Sequence, residues 1–171
     1  MSCISHILGG SLTSEITKEV YNKVKTKLDA GIDPNYFCVN CDTPLVTAIH
    51  FSYCDDYIDI VKLLLEYGAD PNLRKSSLYN TPLMEAVIRN NLEIVTLIRQ
   101  HDKFNSSLVY GYNGYTAFMM AIDYNYSTIV KALIDYGEDP CIPSKVGRTP
   151  FQLATSRPTS IIILDLLKNT L

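Results

Sequence analysis

The chain has 171 residues, the size of one domain, and its 47% hydrophobic against 19% charged residues give it enough apolar surface for a core and too few charges to stay disordered. Fifteen basic and 18 acidic side chains leave a formal −3, which argues against the basic field that non-specific nucleic-acid or anionic-membrane binding requires. The unusual feature is twelve Tyr with no Trp, since Tyr combines apolar area with a polar tip and suits a recognition surface.

Read in chain order, Met1–Ser11 has no cationic stretch, and its apolar Ile4–Leu8 is interrupted by Ser5 and His6, so no secretory signal is expected. The five cysteines, Cys3, Cys38, Cys41, Cys54 and Cys141, are odd in number and irregularly spaced. They read as reduced thiols and predict a cytoplasmic address. A first helix is expected over Glu15–Asp29. Gly31-Ile32-Asp33-Pro34-Asn35 follows it, and the phrase returns as Gly68-Ala69-Asp70-Pro71-Asn72 and, altered, as Gly137-Glu138-Asp139-Pro140-Cys141.

A second phrase alternates with the first. Thr43-Pro44-Leu45 leads to Ala48, Thr81-Pro82-Leu83 to Ala86, Thr116-Ala117-Phe118 to Ala121, and Thr149-Pro150-Phe151 to Ala154. The threonines are 38, 35 and 33 residues apart. A third phrase, a branched aliphatic with another aliphatic three places on, occurs at Val61/Leu64, Val95/Ile98, Val130/Leu133 and Ile163/Leu166. Three phrases in register define a tandem repeat. Each Thr is placed to cap a short helix, with Pro at the first helical position where its missing N–H costs nothing. Helix pairs are therefore expected near 44–67, 82–101, 117–136 and 150–168, with the Gly of each closing phrase stopping the second helix.

These phrases resemble the ankyrin repeat, whose unit carries Gly-x-Thr-Pro-Leu-His-x-Ala and closes on Gly-Ala-Asp-x-Asn; the resemblance runs from about residue 13 to 171. It implies an all-α solenoid of stacked helix pairs joined by β-hairpin-like loops. About five units are expected within a single domain, near 1–35, 36–72, 73–105, 106–141 and 142–171, the first of them atypical. Asp165, set against Leu63, Leu97 and Ala132 of earlier copies, reads as a capping substitution. Ile161 and Leu164, three apart, could form an outward ridge, although a helix tucked against the preceding unit is the favoured reading. Thr43 to Val61 is 18 residues where the other copies have 14, which places four extra residues in the Ser52–Asp56 region.

Chemistry finds little support. Cys38-x-x-Cys41, His50 and Cys54 imitate a zinc set, but the helix starting at Pro44 would hold Cys41 and Cys54 about 12 Å apart, too far for one tetrahedral ion. His6, His50 and His101 accompany no nucleophile motif. Gly9-Gly10 and Gly111-x-x-Gly114 are turn material rather than phosphate loops. Asp33, Asp70 and Asp139 suit Asx turns. No enzyme activity, metal or cofactor is expected.

The resemblance implies partner binding on a concave side, through hairpin tips and the ends of the first helices. The matching tip residues are Asn40 and Asp42; Ser77, Leu78 and Asn80; Tyr112, Asn113 and Tyr115; Lys145, Val146 and Arg148. The helix ends add His50 and Phe51, Ile88 and Arg89, Asp123 and Tyr124, and Ser156 and Arg157. Leu78, Ile88, Tyr112, Tyr115 and Tyr124 would form an apolar-aromatic centre, and Lys145, Arg148 and Arg157 a basic edge, in the manner of a protein interface. The expected function is a non-catalytic, monomeric module that inhibits or sequesters a partner protein, with no nucleic acid or membrane involved. Effectors of viruses or intracellular bacteria are one setting, an immunity-type inhibitor of a toxin is the alternative, and a zinc-binding or enzymatic module is the outside alternative.

Overall fold

The computed structural model describes residues 14–36, 42–52, 56–76, 80–105, 111, 114–156 and 161–170, with the side chains of 14–17 and 56 left aside. Among these residues are nine helices and no strand: α1 (Ser14–Asp29), α2 (Pro44–His50), α3 (Asp56–Glu66), α4 (Pro82–Ile88), α5 (Leu92–Gln100), α6 (Ala117–Asp123), α7 (Ser127–Asp135), α8 (Pro150–Thr155) and α9 (Ile161–Lys168). They form two layers. Inner helices α2, α4, α6 and α8 pack in sequence on one another, as do outer helices α3, α5, α7 and α9, with α1 laid on α3.

The repeated threonines begin the inner helices as expected. Thr43, Thr81, Thr116 and Thr149 side chains accept from the backbone N–H of Val46, Met84, Met119 and Gln152 at 3.2–3.3 Å. At Thr149 the Gln152 side chain answers by accepting from the cap N–H, 3.0 Å away, and completes a capping box. Inner helices can approach closely because each carries a fully buried alanine, Ala48, Ala86, Ala121 or Ala154. Asn90 and Asn125, in the turns between inner and outer helices, adopt the left-handed region at φ 53° and 61°, which Asn tolerates better than most residues.

Outer helices end in two ways. Gly68 and Gly137 take φ of 87° and 84°, where a β-carbon would be strained. The third unit has no such Gly, and α5 instead leaves the helix through extended His101, at φ −69° and ψ 131°. The three Asx turns form as read: the backbone N–H groups of Asn35, Asn72 and Cys141 donate to Asp33, Asp70 and Asp139 at 2.7–2.8 Å.

These turns also carry links between units. The Asn35 amide donates to Gly68 O at 3.1 Å and accepts from Asp70 N–H at 2.7 Å. Asn72 repeats the pattern one unit later, with Lys103 O and Asn105 N–H both at 2.8 Å. The third and fourth units are held by something different. Arg99 of α5, its side chain 7% exposed, donates through Nη2 to Tyr136 O at 2.7 Å. Its Nη1 lies 3.0 Å from Glu138, a contact ionic rather than hydrogen-bonded in geometry, and its guanidinium covers the Phe104 ring at 4.7 Å. Burial pushes the Glu138 carboxyl up, and the neighbouring Arg99 only partly opposes that.

Burial corrects two expectations in the last unit. The fully buried pairs are Ile60/Leu64, Ile94/Ile98, Ile129/Leu133 and Ile163/Leu167, each four residues apart. Leu167, not Leu166, is therefore the partner of Ile163, and the last copy has slipped by one residue. In that register Asp165 matches Lys62, Thr96 and Lys131, which already point outward, so its charge is no capping signal. Leu164 is half-buried against the core, as a tucked helix requires, but Ile161 is 75% exposed, so that expectation is met at only one of its two residues; Ile162 beside it is 60% exposed.

The four extra residues of the second unit also acquire a location. Residues 53–55 lie outside the described residues, but α3 starts four residues before Ile60, whereas α5 starts two before Ile94. Part of the insertion is thus an added half-turn that brings in Tyr57, fully buried with its ring 6.0 Å from Phe51. That part is core.

Candidate functional site

Leu78, Tyr112, Asn113 and Arg157 lie outside the described residues, as do Cys38, Cys41 and Cys54 of the considered zinc set. The remaining candidates fall on the turns and inner-helix ends of one side. Gly111 N–H donates to Tyr115 O at 2.8 Å and closes one tight turn. Ser144 N–H donates to Arg148 O at 2.7 Å and closes the next. The two turns are bonded side by side, since Lys145 N–H donates to Gly114 O at 3.0 Å. A β-carbon on Gly114 would come within 3.2 Å of that of Lys145, so Gly lets the turns approach.

Tyr115 directly follows the glycine that joins the two turns. Its side chain, like that of Ile88, is partly buried against the core. Tyr124, which caps the C-terminal end of α6, is 43% exposed and stacks at 5.7 Å on Tyr126. Val146 stands at the tip of the 144–148 turn, 82% exposed between exposed Lys145 and Arg148. Asp123 ends α6, immediately before Tyr124. Of the apolar-aromatic centre, the exposed ring among the described residues is Tyr124, while Ile88 and Tyr115 pack against the core.

A polar cluster nearby was only half visible in the sequence. His50 ends α2 and Arg89 caps the C-terminal end of α4, where cations suit the helix dipole. Glu85, one turn before Arg89, has a side chain only 9% exposed. It accepts from Arg89 Nε at 3.0 Å and lies 3.1 Å from His50 Nδ1. Arg89 Nη2 is 2.8 Å from the same ring nitrogen. Asp42 feels Lys75, Glu85 and His50 together, and its carboxyl is raised first by burial and next opposed by Lys75. His50 and Arg89 were legible as helix-end residues; Glu85 was not singled out, although its spacing of four from Arg89 was a signal.

Among the described residues no group of three or more His, Cys, Asp or Glu could hold a metal ion, and no helix is long and apolar enough to cross a membrane.

A family model for ankyrin repeats, in three copies, matches residues 53–144 and 83–169. The transient receptor potential channel pyrexia of Drosophila melanogaster is 32% identical over 124 residues, 72% of this chain and 12% of that protein. A fowlpox virus ankyrin repeat protein, FPV222, is 31% identical over 144 residues, covering 82% of this chain and 18% of the relative. The Escherichia coli ankyrin repeat protein YahD is 28% identical over 144 residues, 80% of this chain and 68% of its own length. The chain thus spans about a tenth of the channel relatives. Matched over more than half its length by the family model, with its caps, turns and two helix layers in register, the chain belongs to the ankyrin repeat family, a protein-interaction fold.

Proposed function

We propose that this chain is a non-catalytic, monomeric module that occupies the surface of a partner protein through its turns and inner-helix ends, and so inhibits or sequesters that partner. The observation that carries this reading is the row of outward side chains on one side of the stack: Arg89, Tyr124, Lys145, Val146 and Arg148, with Tyr124 at 43% and Val146 at 82% exposure. An exposed aromatic and an aliphatic tip among basic groups have the composition of an interface centre and its rim. The viral relatives favour an effector acting on a host protein in the cytoplasm.

Capture from cell lysate with the wild-type chain and with Tyr124→Ala/Val146→Ser, followed by mass spectrometry, tests the assignment. Both side chains are exposed, so the variant keeps its fold, checked by circular dichroism. Loss of a protein that Leu92→Ala, on an outer helix, still captures is the expected result. Identical captured sets for all three chains overturn the reading.

A further inference from the structure

We infer that the His50, Glu85 and Arg89 cluster is a preformed receptor for a carboxylate side chain of the partner, so that the partner docks an acidic segment against α2 and α4. This rests on the turn and inner-helix side being the partner surface.

Arg89 carries five N–H donors in a planar fork. Glu85 takes the one on Nε, and Nη2 lies 2.8 Å from His50 Nδ1. The two N–H groups of Nη1 have no partner among the described residues, and the side chain is 30% exposed. Glu85, almost wholly buried, fixes the guanidinium before any ligand arrives, which removes most of the ordering cost of binding. The helical segment ahead of Arg89 could have carried an apolar residue at position 85, as Met120 and Leu153 do in later copies; a buried carboxylate there holds a cation in place.

Charge distribution selects the ligand. Basic Lys75, Arg89, Lys145 and Arg148 share this side with Asp42, Glu85 and Asp123, and Glu85 is already matched to Arg89. The chain as a whole is −3, and its outer helices carry Asp56, Asp59, Glu66, Glu93, Asp135 and Asp165 against Lys62, Arg99, Lys131 and Lys168, with Lys62 and Lys131 already paired to Glu93 and Asp135. An acidic protein segment meets a more favourable field here than along the outer helices. A planar guanidinium edge matches one planar carboxylate. A nucleic-acid strand, with its continuous charge, would need a longer basic track than Asp42 and Glu85 allow.

The test uses the full chain and a short fluorescein-labelled oligo-glutamate peptide, read by fluorescence anisotropy at low salt. Arg89→Gln and Arg89→Lys should each weaken binding about tenfold or more, while Lys131→Gln, on outer helix α7, changes it by less than about twofold. Arg89→Lys keeps a cation for Glu85, so its loss reports the missing fork rather than a folding defect. Absence of saturable binding by wild type, equal weakening by Lys131→Gln, or equally tight binding of an oligo-thymidylate would each overturn the inference. The capture experiment with Tyr124→Ala/Val146→Ser stands apart: it can succeed while the peptide fails, which removes the receptor and leaves the surface, or the reverse.

Discussion

Replacing Arg99 by Leu tests how the third and fourth units are joined. The substitution removes the 2.7 Å bond to Tyr136 O, the 3.0 Å contact with Glu138 and the cover over Phe104, and leaves the Glu138 carboxylate, 23% exposed, without its counter-charge. Stripping one partner from a buried ion pair costs about 3–5 kcal/mol, and because Glu138 keeps some access to water the lower end, about 3 kcal/mol, is expected. Leu28 and Ala69 occupy the corresponding places at the joint between the first and second units, at 4% and 1% exposure. The double variant Arg99→Leu/Glu138→Ala rebuilds that apolar pair and should return to within about 1 kcal/mol of wild type. Glu138 also sets a pH dependence. Its folded pKa is raised above the ordinary value of 4.5, chiefly by burial, so its contribution to stability is complete below 4.5 and is lost as pH rises through the folded value. Without Arg99 that loss should extend to higher pH, and without Glu138 it should vanish. Urea unfolding followed by circular dichroism across pH 4–8 measures all of this, with two-state behaviour checked because repeat arrays can depart from it. A single variant costing less than about 1 kcal/mol, or a double variant as unstable as the single, would refute the account.

Three further outcomes follow from the packing. Asn72→Ala removes bonds to Lys103 O and Asn105 N–H and should cost about 1–2 kcal/mol by urea denaturation, with hydrogen exchange quickening first at Asn105. Thr81→Ala deletes the cap of α4 and should cost about 1 kcal/mol, while Thr81→Ser, which retains the oxygen, should cost less on the same measurement. Ile163→Ala should cost about 2–4 kcal/mol and Ile162→Ala less than about 0.5 kcal/mol; equal costs would show that the register of α9 is wrong.

Much of the fold was legible because its signals are local. A Thr three residues before the N–H it caps, a Gly after an apolar stripe and an Asp two residues before its turn partner each act over less than two turns of chain. The last helix misled because Ile161, Ile162, Ile163 and Leu164 are consecutive and apolar, and such a run fits neighbouring registers equally well until burial chooses. The side-chain clusters hid for another reason. His50 and Glu85 are 35 residues apart, and Arg99 and Tyr136 are 37 apart, so only stacking brings them together. The candidate surface was legible as positions in the repeat, but the division of labour within it was not. Ile88 and Tyr115 read like Tyr124 in a list of apolar residues, and only packing assigns the first two partly to the core.

The two kinds of joint differ in how freely units could be exchanged. Asn35 and Asn72 grip backbone atoms, which any neighbouring unit supplies whatever its side chains. A unit ending in such an Asn can be spliced ahead of many others and still fasten. Arg99 needs a carboxylate at one chosen place in the next unit, so the third and fourth units form a matched pair: duplication, deletion or shuffling within this array is tolerated at the amide joints and penalised at the ionic one.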